Sequence, residues 1–501
     1  MPRVRAPELP KDFVWLNTNR PLSLKEFRGR IVLLDFWTYC CINCLHVLPD
    51  LRYLEQKYSD SLTIVGVHSA KFENEKDLDN VRQAILRYDI EHPVLIDQDF
   101  FIWEQYAVRA YPTFVLIDPE GYVVATIAGE GKRSLLDDLI NKLIQSHKID
   151  FQKLDLELEK YHNSITSPLA FPGKVLADET SDLLFVADSG HDRIVVSTLE
   201  GEVLYAIGTG NAGLTDGAFD QAQFSAPQGM SFDRKNRFLY VADTGNHAIR
   251  RIDLKRERVE TIAGTGTQSR NIYPHSRNAS ETPLNSPWDL ELINNQLFIA
   301  MAGSHQIWEL NLDTSVVETF AGTGAEASFD APVDQAAFAQ PSGITTDGEK
   351  LFIADSESSS IRSINFNKNP SVQTVCGSGD LYGFGDIDGI GEIARLQHCL
   401  GIEFVQNNLW IADTYNHKIK RVDRSGFCQT ILGAGQAGYQ DGEKQIVQFS
   451  EPSGISATQT HLYIADTNNH TIRVVELGSL TTSTIEFPGL CAPTVCFPNK
   501  K

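Results

Sequence analysis

The stretch LLDFWTYCCINCLHVLP at residues 33–49 decides the first half of the fold. Its Cys41-Ile42-Asn43-Cys44 unit follows an apolar, strand-like run and opens a segment with apolar residues at helical intervals. A helix N-terminus offers unsatisfied N–H groups and a partial positive charge, which favour thiolate over thiol. A spacing of three places both sulfurs within one helical turn, so the pair can close a disulfide. The pattern predicts a redox pair in which the first sulfur attacks an external disulfide and the second resolves the mixed disulfide.

The sequence around this stretch alternates between strand-like and helix-like segments. Strands are predicted at 31–37, 62–68, 93–97, 113–118 and 122–129, and helices at 44–58 and 134–147. A strand–helix–strand start followed by a hairpin and a helix is typical of an α/β sandwich. Residues 1–147 are therefore predicted to form one α/β domain. Residues 148–165 are predicted to be a linker, with a docking strand or helix between domains as the alternative.

The order Asp35-Phe36-Trp37 before the cysteines, Pro49 in the next helix and Tyr111-Pro112-Thr113 before a strand resembles the thioredoxin fold, in its TlpA and redoxin branch. The resemblance implies that Cys41 is the nucleophile and Cys44 the resolving cysteine. It also implies that Pro112 supports the backbone of the substrate. Asp35 matches the buried carboxylate that takes the proton of the resolving cysteine, and burial should raise the pKa of such a group.

Several alternatives stay open at this site. Cys40, where the resemblance would place a tryptophan, is a candidate accessory redox thiol or a plain apolar substitution. The pair could also bind zinc, although two more ligands would be needed, or be inertly buried. Thr38 three residues before Cys41 is similar to a peroxidatic signature that lacks its proline. His46 is expected to point away, and His68 to be a satisfied surface histidine or a neighbour of the site edge.

From residue 166 the chain repeats a unit consisting of an apolar pair, Ala, Asp, a polar turn and Ile. The six copies are FVADSGHDRI (185–194), YVADTGNHAI (240–249), FIAMAGSHQI (298–307), FIADSESSSI (352–361), WIADTYNHKI (410–419) and YIADTNNHTI (463–472). A period of 53–58 residues with short strands and Gly-rich turns predicts a six-bladed β-propeller over 166–501. The copies resemble NHL repeats. Because Met301, Ser359 and Cys399 depart from the pattern, blades three and five are expected to be irregular.

A histidine and an aspartate each recur at an equivalent position in most of the repeats. The histidines are His247, His305, His417 and His470, and the aspartates are Asp188, Asp243, Asp355, Asp413 and Asp466. Residues spread around a ring cannot converge on one metal, so both sets are predicted to stabilise their own turns. Metal ligation in the central channel, as in lyases built on this kind of propeller, is the minor alternative. Cys491 and Cys496 are expected to be free thiols, with a tail disulfide as the alternative.

The composition of the chain disfavours some classes of binding partner. The net charge of −21 and the pI near 5.0 disfavour nucleic acid and anionic lipid, which bind through Lys and Arg. No apolar run is long enough to span a membrane, and no secretory leader is evident. Eight cysteines in 501 residues favour a reducing, cytoplasmic location over a disulfide-stapled secreted one.

The whole order, a thioredoxin-like domain followed by NHL repeats, resembles the NHL repeat-containing protein 2 family. The expected function is a thiol–disulfide oxidoreductase with no cofactor beyond its own disulfide and no metal. The propeller is expected to recruit a protein partner or substrate. The alternatives are a binding or scaffold protein with a vestigial or sensory redox site, and a propeller lyase. The sequence leaves the oligomeric state, the electron donor and the substrate open.

Overall fold

The computed structural model describes residues 3–147, 149, 156–163, 165–273 and 277–493. The chain divides into two compact units, Met1–Ser164 and Ile165–Lys501. Most of the first half of the predicted linker and the predicted thiol Cys496 lie outside the described residues.

The first unit contains a seven-stranded sheet with the order β1-β7-β6-β3-β4-β5-β2. Its strands are β1 (Val4–Arg5), β2 (Trp15–Leu16), β3 (Ile31–Trp37), β4 (Leu62–His68), β5 (Val94–Ile96), β6 (Thr113–Ile117) and β7 (Tyr122–Ala128). Strand β3 runs parallel to β4 and antiparallel to β6. All seven residues of β3 are buried, as the apolar run IVLLDFW requires of a central strand.

The helices of this unit are α1 (Ile42–Lys57), α2 (Leu78–Arg87), α3 (Phe101–Gln105), α4 (Arg133–Ser146) and α5 (Glu159–His162). A 3-10 turn covers Glu73–Lys76. Helix α1 buries the apolar stripe Val47, Leu51 and Leu54, and Pro49 lies inside it. This arrangement confirms the predicted thioredoxin-like fold.

Residues 156–163 of the predicted linker belong to the first unit and contain α5. The backbone N–H of Glu159 donates to Asn17 Oδ1 at 2.8 Å. The Lys160 ammonium pairs with Asp89 at 3.2 Å and with Glu91. This part of the chain is therefore tied to its own domain by polar contacts.

The second unit consists of six antiparallel sheets, which confirms the predicted six-bladed propeller. Blade one contains β8 (Lys174–Asp178), β9 (Leu183–Asp188), β10 (Arg193–Ser197) and β11 (Val203–Ile207). Blade two contains β12 (Gly217–Ala218), β13 (Pro227–Asp233), β14 (Phe238–Asp243), β15 (Ala248–Asp253) and β16 (Arg258–Ala263). Blade three contains β17 (Arg277–Asn278), β18 (Pro287–Ile293), β19 (Gln296–Met301), β20 (Gln306–Asn311) and β21 (Val316–Ala321).

Blade four contains β22 (Pro341–Thr346), β23 (Lys350–Asp355), β24 (Ser360–Asn365) and β25 (Val372–Cys376). Blade five contains β26 (Gly389–Ile390), β27 (Gly401–Val405), β28 (Asn408–Asp413), β29 (Lys418–Val422) and β30 (Phe427–Leu432). Blade six contains β31 (Gly442–Glu443), β32 (Pro452–Ala457), β33 (His461–Asp466), β34 (Thr471–Glu476) and β35 (Thr481–Ile485).

Each blade is built from a contiguous piece of chain, so the ring closes without exchanging a strand between its ends. Each innermost strand contacts the next around the ring, and β32 of blade six contacts β8 of blade one. The Ser453 hydroxyl donates to the carbonyl of Gly173 at 2.6 Å, and Thr467 donates to that of Pro172 at 2.9 Å. Hydrogen bonds and packed side chains therefore close the ring.

The prediction that blades three and five are irregular is wrong for their strand order. Both have the same five-stranded order as blades two and six. Met301 is fully buried and pairs with Gln306, because a thioether suits the apolar interior between blades. In blades two, three, four and six, the innermost strand begins with a proline that pairs with the last residue of the next strand. In blade five the innermost strand begins at Gly401, and this first pair is missing.

Among the described residues, no helix combines the length and the apolar character needed to cross a membrane.

Candidate functional site

The cysteine pair lies where β3 ends and α1 begins. Cys41 is the residue before the first helical turn, and its carbonyl accepts from the N–H groups of Cys44 at 3.0 Å and Leu45 at 3.2 Å. Both cysteines are free thiols, and their side chains hydrogen-bond to each other. Cys41 is 9% exposed and Cys44 1%, so the first cysteine is the more accessible residue of the two.

Cys44 is a poor acid in this position. Burial raises the pKa of its thiol, and the hydrogen bond to Cys41 and the negative charge on Asp35 raise it further. Only the thiolate attacks a disulfide, so Cys44 requires a nearby base.

Asp35 can supply that base from the middle of β3. It is fully buried, and neither carboxylate oxygen has a hydrogen-bond partner among the described residues. Burial raises the pKa of Asp35 from 3.8 to about 7; a charge on His92 opposes the rise and one on Glu55 adds to it. A carboxyl group that titrates near neutral pH can both take and return a proton.

The Tyr111–Pro112 peptide bond is cis, and it precedes β6. Because Thr113 pairs with Phe36 of β3, Pro112 lies at the end of β3 from which the cysteine loop departs. The Tyr111 hydroxyl donates to the carbonyl of Ser69 at 2.7 Å, which fixes the segment against the end of β4. Pro112 and the cysteine pair thus share one edge of the sheet.

Glu75, which no sequence pattern indicated, organises the loop before the cysteines. This carboxylate is fully buried. One oxygen accepts from the Thr38 hydroxyl at 2.5 Å and from the Cys40 N–H at 3.0 Å. The other accepts from the N–H groups of Lys71 at 2.8 Å and Phe72 at 2.9 Å. Its distance of more than 30 positions from the loop leaves no signal of this role in a single sequence.

Cys40 is held by the same arrangement. Its side chain is 3% exposed, and its sulfur lies 3.6 Å from the Thr38 hydroxyl. The thiol is buried, and its exchange with Cys41 remains a prediction.

The two histidines near the site occupy different surroundings. His46 Nδ1 lies 2.6 Å from Glu130 Oε2. His68 is not the satisfied surface residue that was expected: it is fully buried, and neither ring nitrogen has a hydrogen-bond partner among the described residues. Its ring contacts the edge or face of Trp37 in a T-shaped pair at 5.1 Å and stacks with Tyr39 at 5.6 Å, and burial lowers its pKa to about 3. The pairing of His68 with Trp37 on adjacent strands, visible only in the sheet register, accounts for the error.

Each repeated aspartate of the propeller hydrogen-bonds within its own turn, as expected, but to a side chain three residues later instead of to the turn backbone. In five blades the fully buried aspartate accepts from a backbone N–H that lies 16 to 18 residues earlier in the chain. It also pairs with a buried cation; Asp243 lies 2.8 Å from Arg250, and Asp466 lies 2.8 Å from Arg473. These carboxylates join successive strands within a blade.

The repeated histidines join neighbouring blades, which corrects the expectation of bonds within their own turns. Each has left-handed backbone geometry, and its Nδ1 accepts from a backbone N–H of the next blade. The donors are Ser286 to His247, Gln340 to His305, Glu451 to His417 and Phe171 to His470, at 3.0 to 3.1 Å. Asp192 and Ser359 occupy the equivalent positions of blades one and four and accept from Ala226 and His398. His470 thereby closes the ring onto blade one.

Lys174 crosses the middle of the ring. From blade one its ammonium reaches Asp289 of blade three at 2.9 Å and the carbonyls of Ser342 and Leu400 in blades four and five at 2.8 and 2.7 Å. Burial raises the pKa of nearby Glu291 to about 8, with a further rise from the charge on Asp289. A fixed ammonium repels a metal ion, so this centre does not favour the metal-dependent alternative. Among the described residues, no group of three or more His, Cys, Asp or Glu side chains could hold a metal.

The other described cysteines lie in the second unit. Cys376, Cys399 and Cys428 are free and fully buried in one apolar cluster. Cys491 is disulfide-bonded, contrary to the expectation of a free thiol.

Family models and relatives agree with the two-unit architecture. A thioredoxin-like family model matches residues 29–123, and an NHL repeat model matches residues 449–475. The chain is 44% identical over 98% of its length to the Arabidopsis thaliana protein SUPPRESSOR OF QUENCHING 1, chloroplastic, and covers 48% of that protein. It is 43% identical over 95% of its length to Bos taurus NHL repeat-containing protein 2, and covers 71% of that protein. Thus it spans about half the length of the plant relative.

The first unit is also similar to thiol–disulfide oxidoreductase ResA of Bacillus thuringiensis. The identity is 30% over 27% of this chain and 76% of the bacterial protein.

Proposed function

This chain belongs to the NHL repeat-containing protein 2 family, and we propose that its first unit is a thiol–disulfide oxidoreductase with the redox pair Cys41 and Cys44. The observation that carries the proposal is the buried, unpartnered carboxylate of Asp35, whose charge acts on a buried Cys44. A buried carboxylate without hydrogen bonds lowers the stability of the fold. Such a group is therefore expected at a functional site, where its shifted pKa has a use.

In the proposed reaction, the Cys41 thiolate attacks a disulfide of the partner and releases one partner sulfur as a thiolate. Cys44 then passes its proton to Asp35 and attacks the Cys41 sulfur of the mixed disulfide. This step forms the Cys41–Cys44 disulfide and releases the second partner thiolate. The partner disulfide gains two electrons, and the cysteine pair loses two.

The propeller is proposed to present the protein partner, with no cofactor other than the disulfide of the first unit. Propellers commonly expose loops on a rigid ring, which suits protein binding. The acidic charge supports a protein partner over nucleic acid or an anionic membrane. The cytoplasmic location stays a prediction.

A redox sensor or scaffold is the second candidate, since one observation favours it. All three cysteines of the loop are buried, and even Cys41 is only 9% exposed. Slow access of a partner to that sulfur would suit occasional oxidation better than rapid turnover.

Reduction of insulin disulfides by the full chain, with dithiothreitol as electron donor, tests the proposal. We expect activity in the wild type and in Cys376→Ala, a control for a buried cysteine outside the site. We expect none in Cys41→Ser, and mixed disulfides that accumulate in Cys44→Ser. Activity that survives in Cys41→Ser, or a wild type inactive with several donors, would contradict the proposal. A Cys40→Ser variant shows whether the adjacent thiol takes part.

A further inference from the structure

We propose that His92 and Glu55 form the proton route between Asp35 and solvent, which makes them positioning residues for the resolving step. The inference rests on the proposed oxidoreductase function. It concerns how the proton that Cys44 gives to Asp35 leaves a fully buried carboxyl group.

The His92 ring lies against the strand beside Asp35. In the sheet, Asp35 of β3 pairs with Gly66 of β4, so a side chain at position 66 would lie beside that of Asp35. A Cβ placed on Gly66 would lie 2.9 Å from Trp37 Nε1 and 3.3 Å from His92 Nε2. The missing side chain therefore leaves room for the imidazole next to the carboxyl group.

The outer side of the same ring reaches the surface through Glu55. His92 Nδ1 lies 3.0 Å from Glu55 Oε1, and the His92 side chain is 4% exposed while that of Glu55 is 25% exposed. His92 Nε2 is buried and has no hydrogen-bond partner among the described residues. Glu55 and His92 also line a shallow surface pocket of about 10 Å³ together with Leu48, Arg52 and Tyr88. One imidazole thus separates a buried carboxyl from an exposed one.

The charges around the ring support proton exchange. Burial opposes a charge on His92, but Glu55 and Asp35 outweigh it and raise the pKa of His92. Arg52 acts in the opposite direction. Asp89 and Glu91, the other charged residues of the pocket, lie on its wall.

The proton transfer balances without any redox change. Asp35 receives the proton of Cys44 and passes it to His92 Nε2 through one intervening water, because the carboxyl group and the imidazole do not hydrogen-bond to each other directly. The proton on His92 Nδ1 moves to Glu55 and from there to water. The imidazole, now protonated on Nε2, returns to its starting tautomer when that proton is transferred back to Nδ1. The electrons of the disulfide exchange come only from the cysteine pair.

Two measurements on the full chain in its reduced form test this route. The first is an NMR titration of the Asp35 carboxyl in protein labelled with [γ-13C]aspartate, with the signal assigned by its loss in Asp35→Asn. The second follows the mixed disulfide of Cys41 with 5-thio-2-nitrobenzoate, whose release by Cys44 is visible as colour. The variants are His92→Phe, Glu55→Gln and, as a matched control, Glu130→Gln, which changes a second His–Glu pair of the first unit with similar burial.

We expect His92→Phe to raise the Asp35 midpoint by about one pH unit, because a favourable positive charge is lost. We expect both His92→Phe and Glu55→Gln to slow the release by Cys44 about tenfold at neutral pH, with the attack of Cys41 unchanged. Glu130→Gln should match the wild type in both. Should His92→Phe not fold, Glu55→Gln at the exposed end still decides the kinetic result.

An Asp35 midpoint that does not move in His92→Phe, or release by Cys44 at the wild-type rate in Glu55→Gln, would overturn the route. A wild type that forms no mixed disulfide at any pH would instead contradict the proposed function. The titration needs no turnover, so it still decides whether His92 is coupled to Asp35 in that case.

Discussion

Replacing Asp35 by asparagine should stabilise the protein while it slows the chemistry. In the native state the pKa of Asp35 is about 7, whereas the unfolded value is 3.8. Between these two values the native state holds one more proton than the unfolded state, so the free energy of unfolding falls as the pH rises. The loss is complete above pH 7.

The gain in the free energy of unfolding follows from the interval between the two pKa values. About three pH units at 1.36 kcal/mol per unit give up to about 4 kcal/mol. Since an asparagine side chain carries no charge at any pH, Asp35→Asn should exceed the wild type by this amount at pH 8. The difference should shrink as the pH falls toward 4. Disulfide exchange at neutral pH should fall about 100-fold, because the proton acceptor is gone.

Pulse alkylation of Cys44 across a urea series, read by mass spectrometry of its peptide, measures the unfolding of the first unit alone. Asp97→Asn is the matched control, because Asp97 is equally buried but accepts from the Ser69 hydroxyl and from the N–H groups of Ile102 and Trp103. Its loss should destabilise by about 2 kcal/mol. An Asp35→Asn variant no more stable than the wild type at pH 8, or a gain equal at pH 5 and pH 8, would refute the reasoning.

Two further outcomes are expected. Glu75→Gln should lower the free energy of unfolding by about 2 kcal/mol and speed the alkylation of Cys40, since an amide cannot accept all four hydrogen bonds; unchanged alkylation would contradict this role. His470→Ala should lower the hydrogen-exchange protection of the Phe171 amide by about tenfold, and equal protection would argue against a closure role. In the same variant, the His398 amide, which donates to the Ser359 hydroxyl at the equivalent contact between blades, should keep its protection.

Much of the candidate site could be predicted because its residues lie close together in the chain. The pair Cys41 and Cys44, the strand before it and the helix after it follow from local periodicity. Asp35 and Pro112 came from the resemblance, and the structure brings both to the same region of the sheet as the pair. Glu75 was missed because its partners lie far away in sequence and a lone glutamate carries no pattern.

The propeller shows the same division. The period of the repeats determined the number of blades, because each blade must repeat the same strands to bury the same faces. It could not reveal that the histidines hydrogen-bond to the following blade, because that distance depends on how neighbouring sheets pack. The recurrence of the histidines therefore suggested residues that stabilise their own turns. Their hydrogen-bond partners in the next blade are visible only in the closed ring.

By itself the sequence determined the two folds and the redox pair, since strand and helix periodicity and the CxxC spacing are local properties of the chain. The tertiary structure alone decided which polar groups are buried without partners and which charges face them. Those decisions gave Asp35 a pKa of about 7 and put His92 beside it, because desolvation and Coulomb interaction depend on distances across the sheet.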